Sequence, residues 1–220
     1  MLTFDVYTAL CDVEGSLTPV VQEALAAQRD CLELVRVWRR KQLEYVLISN
    51  SLQQGRTSFA VITRRSLDYA LNRAQVELTE RARQDLVAAW DELQLWPEAA
   101  PVLTEIKARG YRIGLLSNGD DSMLRALAAR LPIPCDDVFS SEQAGSYKPH
   151  PSVYALPLRA LRLAADQVLH VAGSPTDVMG ARAAGLRCAW SNRQHDGVLD
   201  ARYGANHEFD DLRGLLGIVP

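Results

Sequence analysis

The stretch TFDVYTAL, residues 3–10, decides the fold. Its first residues are apolar and β-prone, and Asp5 stands among them, so the segment reads as a short buried strand ending on an ionisable side chain. Three comparable runs follow: RIGLLSN (112–118), VLHVAGS (168–174) and RCAWSN (187–192). A helical stretch precedes each, and strand–helix–strand in that spacing is the βαβ repeat of a parallel sheet. The helix ends are legible too. Pro97 to Arg109 stops at Gly110, Asp121 to Leu131 stops before Pro132, and Thr176 to Ala184 stops at Gly185, glycine and proline being the residues that end helices. Right-handed crossovers bring the carboxyl ends of parallel strands to one edge. Asp5, Ser117 with Asn118, and Gly173 with Ser174 are therefore expected to meet there, with Lys148 as a fourth contributor.

Between the first strand and Trp96 lie about eighty residues of helical periodicity without a convincing strand, read as helices near 31–50, 58–74 and 80–94. This predicts an α/β chain: residues 1–15 and 97–220 as a parallel-sheet core, and 16–96 as an inserted helical domain. NSLQQGRT (50–57) reads as a loose connection between two of its helices.

Composition narrows the function classes. The chain has 220 residues, 48% hydrophobic and 23% charged, a globular balance that excludes a disordered or fibrous chain. Its net charge of −3 gives no electrostatic footprint for nucleic acid. No apolar run reaches the roughly 20 residues that span a bilayer, and the opening MLTFDVYTAL lacks the basic stretch of an export signal. No membrane association and a cytoplasmic location are expected. Cysteines 11, 31, 135 and 188 form no CxxC pair, so neither zinc nor a disulfide is implied.

Taken singly, the polar residues at the strand ends are weak signals. Asp5 is a candidate nucleophile, but an Asp closing a strand also caps the next turn. Ser117 and Asn118 at the end of LLSNG can bind an anion with the amides of the following helix, or merely cap that helix. Lys148 sits in YKPHP, where two prolines stiffen the loop around a cation or around an ordinary surface lysine. Asp177, ahead of VMGARAAG, is equally well explained as compensation of a helix dipole.

Their order is what carries weight. A strand ending in Asp, a strand ending in Ser-Asn, a Lys-Pro loop and a strand with a downstream Asp appear as FDVYTAL (4–10), LLSNG (115–119), YKP (147–149) and GSPTD (173–177). In that order the chain resembles the haloacid dehalogenase superfamily. WRRKQLEY (38–45), the FDVY start and SNR (191–193) are similar specifically to the L-2-haloacid dehalogenases, which have a Rossmann-like core and a helical cap domain. The resemblance implies a hydrolase whose Asp5 displaces halide from a small halogenated carboxylic acid, forming an aspartyl ester that water then cleaves. It implies Lys148, Asp177 and Ser174 as the other catalytic residues, and Arg39 and Asn118 as donors to the leaving halide. Ser117 would hold the substrate carboxylate, Tyr7, Leu43, Phe59 and Tyr154 would form pocket wall, and two copies of the chain would pair. No metal and no other cofactor is implied.

Arg39 also has a reading of its own, since the helical row Val35, Arg39, Leu43 and Val46 or Leu47 points it toward covered surface. The alternative is a snorkelling arginine paired with Glu33 or Glu44.

Two other functions compete. The superfamily's phosphatases resemble a scheme with a second Asp two residues after the nucleophile. Here that position is Tyr7, whose phenol lacks the charge a magnesium ion seeks. A weakened member using its fold for binding is the other, because the chain departs from the dehalogenase pattern within the chemistry. Thr8-Ala9 replaces the usual Gly-Thr, which removes a hydroxyl at position 9. Ala172, Gly173, Ser174 and Thr176 replace the usual Ser, Ser, Asn and aromatic. The expectation is that Ala9 leaves the Asp5 carboxylate less tightly aimed, so that Ala9→Thr would raise turnover and Thr8→Val would cost little. The competing possibility is that Thr8 already supplies the hydroxyl through a shifted turn, in which case Ala9→Thr would crowd a filled site.

Overall fold

In this computed structural model the described residues are 1–25 and 30–220. The chain forms two compact units, Met1–Cys11 with Leu95–Pro220, and Asp12–Gln94.

The first unit is built on six strands: β1 (Leu2–Phe4), β2 (Ile113–Ser117), β3 (Asp137–Ser140), β4 (Leu169–Ala172), β5 (Arg187–Ser191) and β6 (His207–Phe209). They lie in the order β3-β2-β1-β4-β5-β6, with every neighbouring pair parallel. β1 is flanked by β2 and β4, with Phe4 opposite Leu115 on one side and Val171 on the other. All three residues of β1 and all five of β2 are buried, which is why they read as continuous apolar runs rather than as alternating ones. From β1 the strand order runs one way to β2 and β3 and the other way to β4, β5 and β6. Asp5 therefore leaves the sheet at the switch point, where open α/β sheets place their ligands.

Two elements of the sheet are not evident in the sequence. β3 (DVFS) and β6 (HEF) are short, only partly buried edge strands, and half-buried edges carry little apolar signal. The strand expected in TFDVY stops at Phe4, and Val6–Leu10 winds into a single π-helical turn with Asp5 as its N-cap. The Asp5 carboxylate accepts the Thr8 N–H and so ends the extended chain.

The second unit is helical: α1 (Val13–Ala24), α2 (Cys31–Leu52), α3 (Phe59–Arg73) and α4 (Glu80–Ala88), followed by a 3₁₀ turn at Ala89–Glu92. Each helix opens on a side chain that accepts an amide N–H: Asp12 from Gly15, Asp30 from Glu33, Ser58 from Val61 and Thr79 from Ala82, as N-caps do. Trp38, Phe59 and Trp90 fill its interior edge to face, with ring centroids 5.5 Å and 6.3 Å from Trp90. The boundaries fall after Cys11 and before Leu95 rather than at 15/16 and 96/97. Asp12 caps α1, a helix the sequence did not reveal, while Cys11 and Leu95 close the first unit as an antiparallel bridge. Among the described residues no helix is long and apolar enough to cross a membrane.

The remaining helices belong to the sheet unit: α5 (Ala99–Ala108), α6 (Asp121–Arg130), α7 (Ser141–Ala144), α8 (Pro151–Leu161) and α9 (Pro175–Ala183). Tyr154 and Val153 of α8 and Val178 and Ala181 of α9 pack with Leu116, Ala172, Cys188 and Trp190 of the sheet in one buried cluster. Beyond β4 the chain passes so close to the turn after β1 that a Cβ on Gly173 would lie 2.3 Å from the Thr8 carbonyl carbon and 2.4 Å from the Ala9 nitrogen. Both are backbone atoms with nowhere to go, so Gly173→Ala is expected to cost about 2–3 kcal/mol. At Gly197, where a Cβ meets nothing within 4 Å, alanine is expected to be neutral. Melting temperatures of the two variants, compared with the parent, test the contact.

Candidate active site

Asp5 sits at the carboxyl end of β1, its N–H still donating to Val171 of β4 at 2.9 Å. Oδ2 accepts the Thr8 N–H at 3.0 Å and the Thr8 hydroxyl at 2.7 Å. Oδ1 accepts from Ser117 Oγ, at the end of β2, and from Lys148 Nζ, each at 3.2 Å. Four donors thus fix the plane of one buried carboxylate. Capping, the mundane explanation of Asp5, accounts for half of what the side chain does.

Lys148 arrives on the loop between α7 and α8. Its N–H donates to Asn118 Oδ1 at 2.8 Å, tying the loop to the end of β2. A backbone N–H can only donate, so the Asn118 amide oxygen faces it and the NH₂ group points away. The Lys148 ammonium also donates to Asp177 Oδ2 at 2.9 Å, bridging two buried carboxylates. Asp177 stands in the first turn of α9, whose N-cap, Ser174, accepts the Asp177 N–H at 3.4 Å. The Tyr154 hydroxyl donates to Asp177 Oδ1 at 2.8 Å. Tyr154 is fully buried, and its polar end is committed to that acid. Tyr7 is buried with its hydroxyl against Gly119, where an added Cβ would come within 2.5 Å of it.

Burial alone would raise the pKa of Asp5, but the Lys148 charge and the two Thr8 hydrogen bonds prevail over it and over Asp177, leaving the carboxyl below its ordinary value. Burial opposes Asp177 in the same way and is overcome by Lys148 and His170, so Asp177 lies well below the carboxylate range. Burial works against the Lys148 charge, yet the two carboxylates hold its pKa above the ordinary value. At neutral pH the array is therefore anion, cation, anion. The carboxylates' contribution to stability is present above their ordinary range and is lost as pH falls through their lowered folded values. That of Lys148 is lost as pH rises through its raised one. For Tyr154, burial and Asp177 push the phenol well above its ordinary value, which keeps it a donor.

His170 is the member of this array that the sequence reading missed, and Thr8 is the one it held only as the competing possibility to Ala9. The hydroxyl expected to be lost at Ala9 comes from Thr8, because the π turn carries residue 8 rather than residue 9 over the carboxylate. The expectation for Ala9 is corrected accordingly: that residue is fully buried against the chain at Gly173. His170, on β4, is completely buried, with Nδ1 3.0 Å from Thr3 Oγ1, and Nε2 3.0 Å from Asp177 Oδ2 and 3.3 Å from Lys148 Nζ. The one available signal was a polar ring inside the apolar run VLHVA. Among the described residues no group of three or more His, Cys, Asp or Glu is arranged to hold a metal ion.

Arg39, Leu43 and Phe59 belong to the helical unit. Arg39 Nη1 donates to Gln42 Oε1 at 2.5 Å, and Gln42 Nε2 donates to Thr63 Oγ1 at 2.6 Å. The Arg39 guanidinium lies 5.5 Å from the Trp90 ring centroid. Glu33 and Glu44, the acids a snorkelling Arg39 would take, are 3.8 Å from Arg40 and 2.6 Å from Lys41. Phe59 is fully buried and Leu43 is 38% exposed.

Residues 2–185 match the haloacid dehalogenase-like hydrolase family. The chain is 31% identical over 193 residues to (S)-2-haloacid dehalogenase 4A of Burkholderia cepacia, covering 87% of this chain and 82% of that one. Its structure is similar to that of the L-2-haloacid dehalogenase RSc1362, with a TM-score of 0.92 at 28% identity over 99% of this chain and 97% of that one. It is also similar to the Xanthobacter autotrophicus L-2-haloacid dehalogenase with chloropropionic acid covalently bound, with a TM-score of 0.88 at 27% identity and the same coverage.

The Thr8 contact makes opposite predictions for neighbouring positions. Thr8→Val removes a hydrogen bond that favours the ionised carboxylate, so the Asp5 carboxyl is expected to titrate at higher pH, with about 1 kcal/mol of stability lost. Ala9→Thr forces volume into a filled site and is expected to lower the melting temperature without shifting that titration. Carbon-13 NMR of the Asp5 carboxyl in both variants is the check. A titration unchanged in Thr8→Val would dissociate Thr8 from the role.

Proposed function

This chain belongs to the haloacid dehalogenase-like hydrolases, and from that premise we propose that it converts short 2-haloacids into 2-hydroxyacids by way of an ester on Asp5. The observation that carries the reading is a buried carboxylate, held by four donors at the sheet's switch point, with a buried ammonium bridging it to a second carboxylate. Such an oxygen is ionised, aimed and shielded from water, as in-line displacement requires.

In the first step Asp5 attacks the α-carbon, the carbon–halogen bond breaks with its electron pair leaving on the halide, and the centre inverts. In the second, a water oxygen bonds to the Asp5 carboxyl carbon and the bond from that carbon to the ester oxygen breaks. The ester oxygen leaves as the product hydroxyl by taking up the proton that Asp177 received from the water, and the second water proton is released as Asp5 returns to its carboxylate. Asp177 takes a proton from the attacking water, and Lys148 offsets the negative charge on the tetrahedral intermediate. The sum is haloacid plus water giving hydroxyacid, halide and a proton. Ser174, whose hydroxyl donates to no described residue, is available to orient that water. Asn118 supports the halide role through its outward NH₂ group, and Ser117 serves the substrate carboxylate once its proton turns from Asp5. For Arg39 the support is the WRRKQLEY run and a guanidinium already ordered by Gln42 and Trp90. Tyr7, Leu43 and Phe59 are the apolar wall in this scheme. The phosphatase alternative is disfavoured because Tyr7 occupies the place of the second acid.

A second copy of the chain is the proposed macromolecular partner. Leu47, Ile48 and Leu52 of α2 and Val61 and Tyr69 of α3 are exposed, more apolar surface on two packed helices than a solvated face needs. Sedimentation is expected to show a dimer that Leu47→Glu with Ile48→Glu dissociates, and a monomeric parent chain would remove this partner.

The chemistry is tested by a single turnover in heavy-oxygen water with enzyme in excess over a 2-chloro or 2-bromo acid, a chelator present, and a phosphate ester run in parallel. Halide is expected to be released, with the label entering the Asp5 side chain. Arg39→Ala is expected to slow release about a hundredfold, roughly 2.7 kcal/mol on the barrier, at an unchanged melting temperature. Label appearing in the hydroxyacid alone, or turnover confined to the phosphate ester, would overturn the scheme.

A further inference from the structure

His170 has no place in the reaction as written, yet it is completely buried and both ring nitrogens are engaged. A buried imidazole with that many polar contacts does not arise from packing alone, because each nitrogen left unpaired would be costly. Its position explains why it is there. Residues 170 and 172 of β4 lie two apart and so project to the same face of the strand. Residue 172 is where the dehalogenase pattern usually has a serine and this chain has alanine. The ring reaches Lys148 and Asp177 from the face on which that hydroxyl is missing.

We infer that His170 is a positioning residue for ester hydrolysis, holding Asp177 and the Lys148 ammonium in register from β4. The inference rests on the dehalogenase reading of this site. The ring has two hydrogen-bonding arrangements. With the proton on Nδ1, the ring donates to Thr3 Oγ1 and Nε2 accepts from Lys148. With the proton on Nε2, it donates to Asp177 Oδ2 and the Thr3 hydroxyl donates to Nδ1. In either form Thr3, on β1, fixes the ring plane, and Tyr154 meets the ring edge to face at 5.8 Å. The partners act in the second step, Asp177 on water and Lys148 on the tetrahedral intermediate. The four donors to Asp5 come from Thr8, Ser117 and Lys148, so none is lost with the imidazole. Removing the ring nitrogens should therefore slow hydrolysis while leaving alkylation intact.

The experiment compares His170→Phe, which keeps an aromatic ring and removes both nitrogens, with His170→Gln, whose amide can bond Asp177 and Lys148. Rapid-quench halide release and intact-protein mass are read for each. His170→Phe is expected to keep a full burst of one halide per site, then turn over at least about tenfold more slowly, the scale of one lost charge-assisted hydrogen bond. The ester on Asp5 is expected to accumulate, and KM to fall along with kcat. His170→Gln is expected to recover most of the rate. Burst and steady state falling together in both variants, or a fully active His170→Phe, would overturn the inference. If His170→Phe does not fold, Thr3→Val carries the test, with a smaller loss again confined to the steady state.

The ring contact is read separately by nitrogen-15 NMR of the parent chain, where the Nε2 signal is expected to move in Asp177→Asn and in Lys148→Met. An unmoved signal would overturn the inference. A parent chain that releases no halide from any 2-haloacid would sink the dehalogenase reading and this inference with it, whereas an active chain with an unmoved ring signal would overturn this inference alone.

Discussion

One buried ammonium organises the carboxyl edge of the sheet. Lys148 lies 3.2 Å from Asp5 and 2.9 Å from Asp177, all three side chains being almost wholly withdrawn from water. Two carboxylates could not stay ionised there without it, and breaking such a pair by removing one partner costs about 3–5 kcal/mol because a charge is left uncompensated. The ends of β1 and β2, the loop before α8 and the start of α9 are thereby held to each other by charge as well as by packing. The same ion that makes the edge stable keeps Asp5 deprotonated, so stability and reactivity come from one interaction.

Around that ion, the chain meets its polar requirements by routes that a motif does not specify. Position 9 lacks a hydroxyl and position 172 lacks another, which by sequence comparison alone reads as damage. The π turn supplies the first from Thr8, one residue early, and Gly173 lets the neighbouring chain approach closely enough for that turn to fit. At position 172 the fold offers instead an imidazole two residues back on the same strand face. Each contact is a matter of which atoms lie within about 3 Å of a carboxylate, and a linear pattern can mark a residue as absent without showing what occupies the space.

The helical unit shows the same division. Four helices begin on Asp, Asp, Ser and Thr caps and bury Trp38, Phe59 and Trp90 together, so their existence follows from local chemistry. The setting of Arg39 does not: its partner Gln42 is one turn away in sequence, whereas Trp90 is fifty-one residues distant and joins it only through helix packing.

What the sequence by itself determined is the part governed by short-range physics. Apolar runs fixed β1, β2, β4 and β5. Glycine and proline fixed the ends of the helices between them, and the order of Asp5, Ser117, Asn118, Lys148 and Asp177 along a parallel-sheet chain was enough to put them at one edge. The faint strands β3 and β6 escaped because short, half-buried segments carry little periodic signal, and α1 escaped because Gly15 and Pro19, which ordinarily break a helix, lie inside it. Only the tertiary structure decided that the first strand stops at Phe4, that Thr8 rather than residue 9 meets the carboxylate, that Tyr154 serves Asp177, and that His170 belongs to the charged array. Those facts are distances between side chains up to 167 residues apart, as for Thr3 and His170. Such distances come from the register of strands and the close approach of loops, neither of which is encoded by any residue and its immediate neighbours.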